Sequence, residues 1–311
     1  MLKFNAEKMT FGRHETFPLR YGWLSKGFQA LNDGKTCDAF DSEEVTVILG
    51  VGKNMAAAIK YWLKACCMID AVTNHPTELG KQLLSVKHGF DPYLEDEATI
   101  WLLHWLLATN TEQATSWYWF FNRYHKPEFT GEELTTALAD FINNQVTNRK
   151  KPAAGTLKND AGLLPRMYTQ SAGNARIPTE ESLDSPFAEL RLITKNADEK
   201  SYQSCLCSRP NLPVDILAYA VCEMFSVKNV TAIPVEDFMY SRDDYPAPGS
   251  VFRLTERSLV AKLEKLENDF PDIFEIRETA GMHQLFMLKR VKPISFVDAH
   301  YSHNLCTDAI I

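Results

Sequence analysis

The amino-acid sequence predicts a mainly α fold with small β-hairpins, of the α+β class. It has a winged-helix-like N-terminal domain, a helical middle block and a second winged-helix-like region near the C-terminus. Three stretches carry this reading. Residues 40–69, FDSEEVTVILGVGKNMAAAIKYWLKACCMI, form a helix, a glycine turn and a second helix with divided faces. Residues 94–144 hold successive apolar helical patterns, among them EDEATIWLLHWLLATN, apolar almost all round and so buried. DIFEIRETAGMHQLFMLKR gives two apolar-rich strands about Gly281.

In chain order, residues 19–31 form a helix with Leu24, Phe28 and Leu31 on one face. Asp41 or Ser42 caps the next helix, and Glu43 and Glu44 suit its positive end. Gly50 and Gly52 then break it and open a tight turn. In the helix that follows, Lys60 and Lys64 lie within about 20° of Lys53, while Met55, Ile59, Trp62 and Cys66 take the opposite side. No acid falls between Val45 and Ile69 to neutralise these lysines. The stretch MIDAVTNHPTELGKQLL turns at Asn74 and Pro76, and residues 70–83 are the candidate wing.

The middle block continues with EQATSWYWFFNRY, whose rings read as core rather than as a base-stacking platform, since few cations flank them. Thr130 and Glu133 have capping-box spacing ahead of the Leu134, Leu138, Phe141 stripe. NRKKPAAGTLKND, residues 148–160, is basic, contains Pro152 and Gly155, and has Leu157 as its only large apolar residue. It reads as a solvated linker, or else as a phosphate-contacting arm through Arg149, Lys150, Lys151 and Lys158. Beyond it, LPVDILAYAVCEMF, IPVEDFMY and a helix capped by Thr255 with Leu259, Leu263 and Leu266 inward precede the hairpin. The implied domains are residues 1–93, 94–147, the linker 148–160, 161–292, and an exposed tail 293–311.

The chain has 311 residues, 45% hydrophobic and 23% charged, with a formal charge of −7. Contact with a polyanion must therefore come from a local patch. The N-terminus lacks the apolar core of a signal peptide, and the longest apolar run, residues 98–108, is too short for a bilayer and contains His104. Seven cysteines, Cys66 and Cys67 adjacent, fit reduced thiols in the cytoplasm. No membrane association is expected.

Candidate chemistry is sparse. GVGK at residues 50–53 departs from a phosphate-binding loop, with Val47 where a glycine and Asn54 where a hydroxyl residue belong. No HExxH or zinc-ribbon spacing occurs, and the cluster Asp298, His300, His303 and Cys306 lies in the tail. No catalytic residue, metal ligand or cofactor is expected. His104, among tryptophans, reads as a hydrogen-bonded core residue. His14, Glu15, Arg20 and Tyr21 gather in HETFPLRYGW, either as a buried network or as an anion-binding site.

The motifs HETFPLRYGWL, LGVGKNMAAAIKYWL, TELG, DPYLEDEATIWLLHWLLATN, WYWFFN and SPFAELRLI resemble an uncharacterised bacterial and archaeal family, a domain of unknown function. The resemblance runs from about residue 12 to 287. It implies a setting beside phosphoadenosine-phosphosulfate-reductase-like sulfur-transfer proteins, in clusters resembling DNA phosphorothioation and related phage-defence systems. It supplies no catalytic residues.

Together these readings predict a non-catalytic, DNA-binding accessory or regulatory protein of such a system. Lys53, Asn54, Lys60 and Lys64 would face duplex DNA, modified or not, with Asn54 near the helix start where base edges are read. Three lysines imply a log–log salt slope of only about 3, so the Arg149–Lys151 arm or a homodimer would reinforce binding. The alternative is an adaptor for a sulfur-transfer or defence protein without DNA contact.

Overall fold

Side-chain caps and buried apolar stripes set the helices of this chain. The computed structural model describes residues 2–32, 44–146, 151–170, 185–198, 200–279 and 281–308. The caps proposed at Asp41 and Ser42, and Glu43 beside them, lie outside the described residues. The α+β class holds: among the described residues helices dominate, with two three-stranded antiparallel sheets. Among the described residues, no helix is long and apolar enough to cross a membrane.

The chain divides into two compact units. The larger comprises Asn5–Phe120 and His125–Cys205. Its helices begin with α1 (Trp23–Asn32), α2 (Val45–Leu49), α3 (Lys53–Ala65) and α4 (Glu78–Leu84). Gly50, with a φ of 58°, ends α2 in the left-handed conformation, and its N–H returns to Thr46 and Val47. Thr77 caps α4 through Gly80 N–H. Gly80 is required by packing: a Cβ there would come within 2.2 Å of the Met68 carbonyl and 2.8 Å of Phe28. The wing expected over residues 70–83 is not a hairpin. A single bridge joins Ile69 and Pro76, and α4 follows at Glu78. The Asp70 carboxylate explains the early turn, since it takes the N–H groups of Val72 and Thr73 and the Thr73 hydroxyl.

Next come α5 (Glu97–Thr109) and α6 (Thr115–Arg123). Every residue of α5 from Ala98 onward is buried. Asp91 anchors its entry by accepting from Glu95 N–H, Asp96 N–H and the Thr99 hydroxyl. His104 bonds the Tyr168 hydroxyl at 2.9 Å, as a core histidine should. Trp117, Tyr118, Trp119 and Phe120 are core, not a stacking platform.

Strand β1 (Glu128–Thr130), α7 (Gly131–Gln145) and α8 (Ala154–Tyr168) follow, then β2 (Thr194–Lys195) and β3 (Ser201–Gln203). Thr130 and Glu133 form the expected capping box of α7. The strand order is β1-β3-β2. The segment 148–160 is therefore not all linker: from Ala154 it is the start of α8, and β1 pairs with β3 across it in sequence.

The smaller unit comprises Met1–Phe4, Phe121–Tyr124 and Leu206–Ile311. It holds α9 (Val214–Lys228), β4 (Ala232–Pro234), α10 (Val235–Met239), α11 (Pro248–Val251) and α12 (Glu256–Asp269). The hairpin β5 (Phe274–Thr279) with β6 (Met282–Met287) and helix α13 (Ile294–Asp308) complete it. Thr255 caps α12, and the hairpin turns through Gly281 as expected. The sheet order is β4-β6-β5, so both sheets place their last strand in the middle. Arg253 is buried beneath Phe121 and donates to the carbonyls of Phe121 and Tyr124. The tail expected to be exposed is instead α13. Phe296, Val297 and Tyr301 are buried, and Phe296 packs against the Phe270 and Phe274 rings.

Candidate nucleic-acid interface

Helix α3 starts from Gly52 in extended conformation and turns one side inward. Ile59, Trp62 and Cys66 are fully buried and Met55 half-buried, as the spacing predicts. The Trp62 indole N–H donates to the Phe17 carbonyl. On the other side Lys53, Asn54 and Ala57 are exposed, whereas Lys60 and Lys64 are half-buried. The Lys64 ammonium donates to the Ala71 carbonyl at 2.7 Å, so it closes the Asp70 turn as well as carrying charge. That turn holds the Asp70 carboxyl below its usual range. The main cause is the Thr73 N–H, followed by the Thr73 hydroxyl and the Val72 N–H, with Lys64 contributing least. The open cationic end of α3 is thus its first turn.

Of the proposed basic arm, Lys151 is exposed and donates to Asn143 Oδ1 at 2.7 Å. Arg149 and Lys150 lie outside the described residues. Lys158 belongs to α8, on a stripe with Gly155, Asn159, Gly162 and Arg166, all exposed. A cleft of about 450 Å³ beside it is lined by Gly131, Glu132, Thr135, Thr136, Lys158 and Gly162. Sequence reasoning missed Asn159 and Arg166. The available signal was their spacing against the buried series Leu157, Ala161 and Leu164.

The side chains of His14, Glu15, Arg20 and Tyr21 sit in different surroundings. His14 is buried, accepts Thr16 N–H at Nδ1, and so carries its proton on Nε2, 2.9 Å from Asp160 Oδ1. Asp160 also accepts from Gly12 N–H and, at 2.6 Å, from the Ser116 hydroxyl. The His14 ring stacks on Trp62 and meets Tyr61 and Trp117 edge-on. Burial first, then the Asp160 charge, pushes the Tyr61 phenol well above its ordinary pKa. Glu15 is exposed, Arg20 lies over the Trp23 ring, and the Tyr21 hydroxyl bonds Glu189. The network reading fits His14, whereas Arg20 and Tyr21 meet other groups and Glu15 faces solvent.

In the helical tail, His300 Nδ1 lies 3.2 Å from Asp215 Oδ2. No group of three His, Cys, Asp or Glu side chains among the described residues gathers as a metal would require.

Two solved structures are similar to this chain. One, described as "SspB crystal structure", is 29% identical with a TM-score of 0.80. The other, "Magnesium ion-bound SspB crystal structure", is 29% identical with a TM-score of 0.79. Each match covers 96% of this chain and 90% of the other. A model of the family described as "Protein of unknown function (DUF4007)" matches residues 11–301. No curated protein matches the chain.

Proposed function

The chain belongs to the DUF4007 family, and from that premise we propose that it is a DNA-binding accessory protein of a DNA-modification or phage-defence system of the phosphorothioation kind. The observation that carries the DNA reading is the first turn of α3, where Lys53 and Asn54 stand exposed while Ile59 and Trp62 anchor the helix behind them. A helix held from behind, with a cation and an amide at its start, suits the rim of a duplex groove. The defence setting is supported by the family resemblance carried by HETFPLRYGWL and DPYLEDEATIWLLHWLLATN. Double-stranded DNA is the ligand, and a sulfur-transfer or other defence protein is the partner this setting supplies.

The test is a gel-shift series with modified and unmodified duplexes at two salt concentrations. Lys53→Glu/Lys60→Glu protein of unchanged melting temperature should bind about tenfold or more weaker at low salt. Equal binding by the variant overturns the role of α3.

A second reading is favoured by the magnesium-bound relative, namely that the chain works on bound DNA with a divalent cation. Mg²⁺ is commonly held by one or two carboxylates together with water and phosphate oxygens, so the described side chains assign it to no named residues. Incubation with supercoiled plasmid separates the two. A nicked product that requires Mg²⁺ supports the second reading, and unchanged supercoiled plasmid supports binding alone.

A further inference from the structure

We propose that the main duplex-reading element of this protein is helix α8, and that its occupant is the major groove of double-stranded DNA. This rests on the DNA-binding reading above and moves its centre from α3 to a second element. Within the larger unit, β1, α7, α8 and, beyond the 3-10 turn Pro186–Leu190, the β2–β3 hairpin lie in the order strand, helix, helix, hairpin, with the last strand in the middle of the sheet. Residues of α6 pack behind them: Trp119 against Phe141 of α7, Phe120 against Phe129 of β1, and Ser116 on Asp160 of α8. That is the winged-helix order, in which the second helix of the helix pair, here α8, enters the groove.

The exposed side of α8 fits this use. Gly155, Lys158, Asn159, Gly162 and Arg166 are exposed and, at the helical period, fall within an arc of about 100°. Leu157, Asp160, Ala161 and Leu164 are buried on the other side. The one acid of the helix, Asp160, is turned inward and bonded by His14, Ser116 and Gly12. Among the described residues, neither the Lys158 nor the Arg166 side chain makes an ion pair or a hydrogen bond. Glycine weakens a helix. Yet a Cβ added at Gly155 or Gly162 would meet no atom within 4 Å, and neither has the positive φ that only glycine tolerates well. Among the described residues nothing requires glycine at either position. Beside Lys158 and Arg166 the two glycines let a polyanion approach the helix backbone closely, and Asn159 has the amide that pairs two-fold with adenine.

The corresponding helix of the other unit offers a contrast. Helix α12 also precedes a hairpin, but its exposed side mixes Arg257 and Lys265 with Glu256, Glu264 and Asp269, which opposes phosphate. Duplex DNA is favoured over duplex RNA because the B-form major groove admits a helix, whereas the A-form major groove is too narrow.

The experiment measures binding of a short DNA duplex and the matching RNA duplex at several salt concentrations. It compares wild type with Lys158→Ala/Arg166→Ala, Gly162→Gln and, as a control on α12, Arg257→Ala/Lys265→Ala. The double alanine variant of α8 should lose about tenfold or more in affinity, with the log–log salt slope smaller by about 2. Gly162→Gln adds bulk to an open helix face without changing charge. It should keep or raise the melting temperature and still weaken DNA binding several-fold, while the α12 variant binds as wild type. If wild type binds no DNA, the DNA-binding reading itself falls. If wild type binds and both α8 variants, still folded, match its affinity and salt slope, only the α8 assignment falls. Equal affinity for the RNA duplex overturns the major-groove occupant.

Discussion

His14 donates from Nε2 to Asp160 Oδ1 across 2.9 Å, tying the segment before α1 to the inner side of α8. Both side chains are almost wholly buried, and Asp160 has two further donors in Gly12 N–H and the Ser116 hydroxyl. Asp160→Ala leaves three donors without their acceptor, two of them, His14 and Ser116, buried. A buried donor left unsatisfied costs about 1–3 kcal/mol, so the urea midpoint should fall sharply. Glu15→Gln, one residue away but exposed, should stay within about 0.5 kcal/mol of wild type.

Two glycine substitutions should move stability in opposite directions. Gly80→Ala drives a methyl into the Met68 carbonyl and the Phe28 ring, an overpacking expected to cost about 1–3 kcal/mol. Gly155→Ala meets open space and should stabilise by about 0.4–1 kcal/mol. Thermal unfolding of the two variants checks the pair. A stabilised Gly80→Ala would show that α4 does not seat against α1 and the Met68 turn as described.

Acid should weaken the fold through its turn carboxylates. Asp70 is held low first by the Thr73 N–H, and Asp198 by the Lys200 and Ser201 N–H groups. Because their folded pKa values lie below the unfolded ones, the stability they add is present above the ordinary carboxylate range. It is lost as pH falls through the folded values. Denaturant unfolding from neutral pH downward should show this loss. Asp70→Ala should be less stable than wild type at neutral pH, with the difference narrowing in acid.

Thiol chemistry should divide the cysteines by burial. Cys205 and Cys207 are exposed, whereas Cys66 and Cys222 are buried. Burial pushes the Cys222 thiol up to about 11 and raises Cys66 as well. Only the thiolate reacts. Alkylation of native protein at about pH 8, followed by peptide mapping, should label Cys205 and Cys207 while Cys66 and Cys222 react only after denaturation. Early labelling of Cys66 would mean that the C-terminal end of α3 opens readily.

Signals complete within a few residues were legible in the sequence. Thr130 with Glu133, Thr255 ahead of α12, Gly50 in its left-handed turn and Gly281 in its hairpin each fix their own neighbourhood. The inward side of α3 was legible too, since Ile59, Trp62 and Cys66 repeat at the helical period. Helix α8 was not. Its stripe runs from Leu157 through Asp160 and Ala161 to Leu164, so a window closing at residue 160 sees one apolar residue and a charge. The carboxylate counts as surface until His14, far earlier in the chain, is known to meet it. Helix α13 was hidden similarly, because Phe296 and Tyr301 gain meaning only from Phe270, Phe274 and α9. On α3, Lys53 was readable as exposed. The use of Lys64 on the Ala71 carbonyl depended on how the Asp70 turn folds back.

The strand order of the sheet in the larger unit has a consequence for a chain emerging from the ribosome. β1 is complete at Thr130, yet the strand that covers it begins at Ser201. At roughly 5–20 residues per second, translation takes several seconds to bridge that interval. Throughout it, β1 presents a bare edge to whatever else is nearby. A transcript truncated ahead of residue 201 would leave that edge permanently uncovered, so shortened forms ending in this interval should be prone to clump or to be degraded.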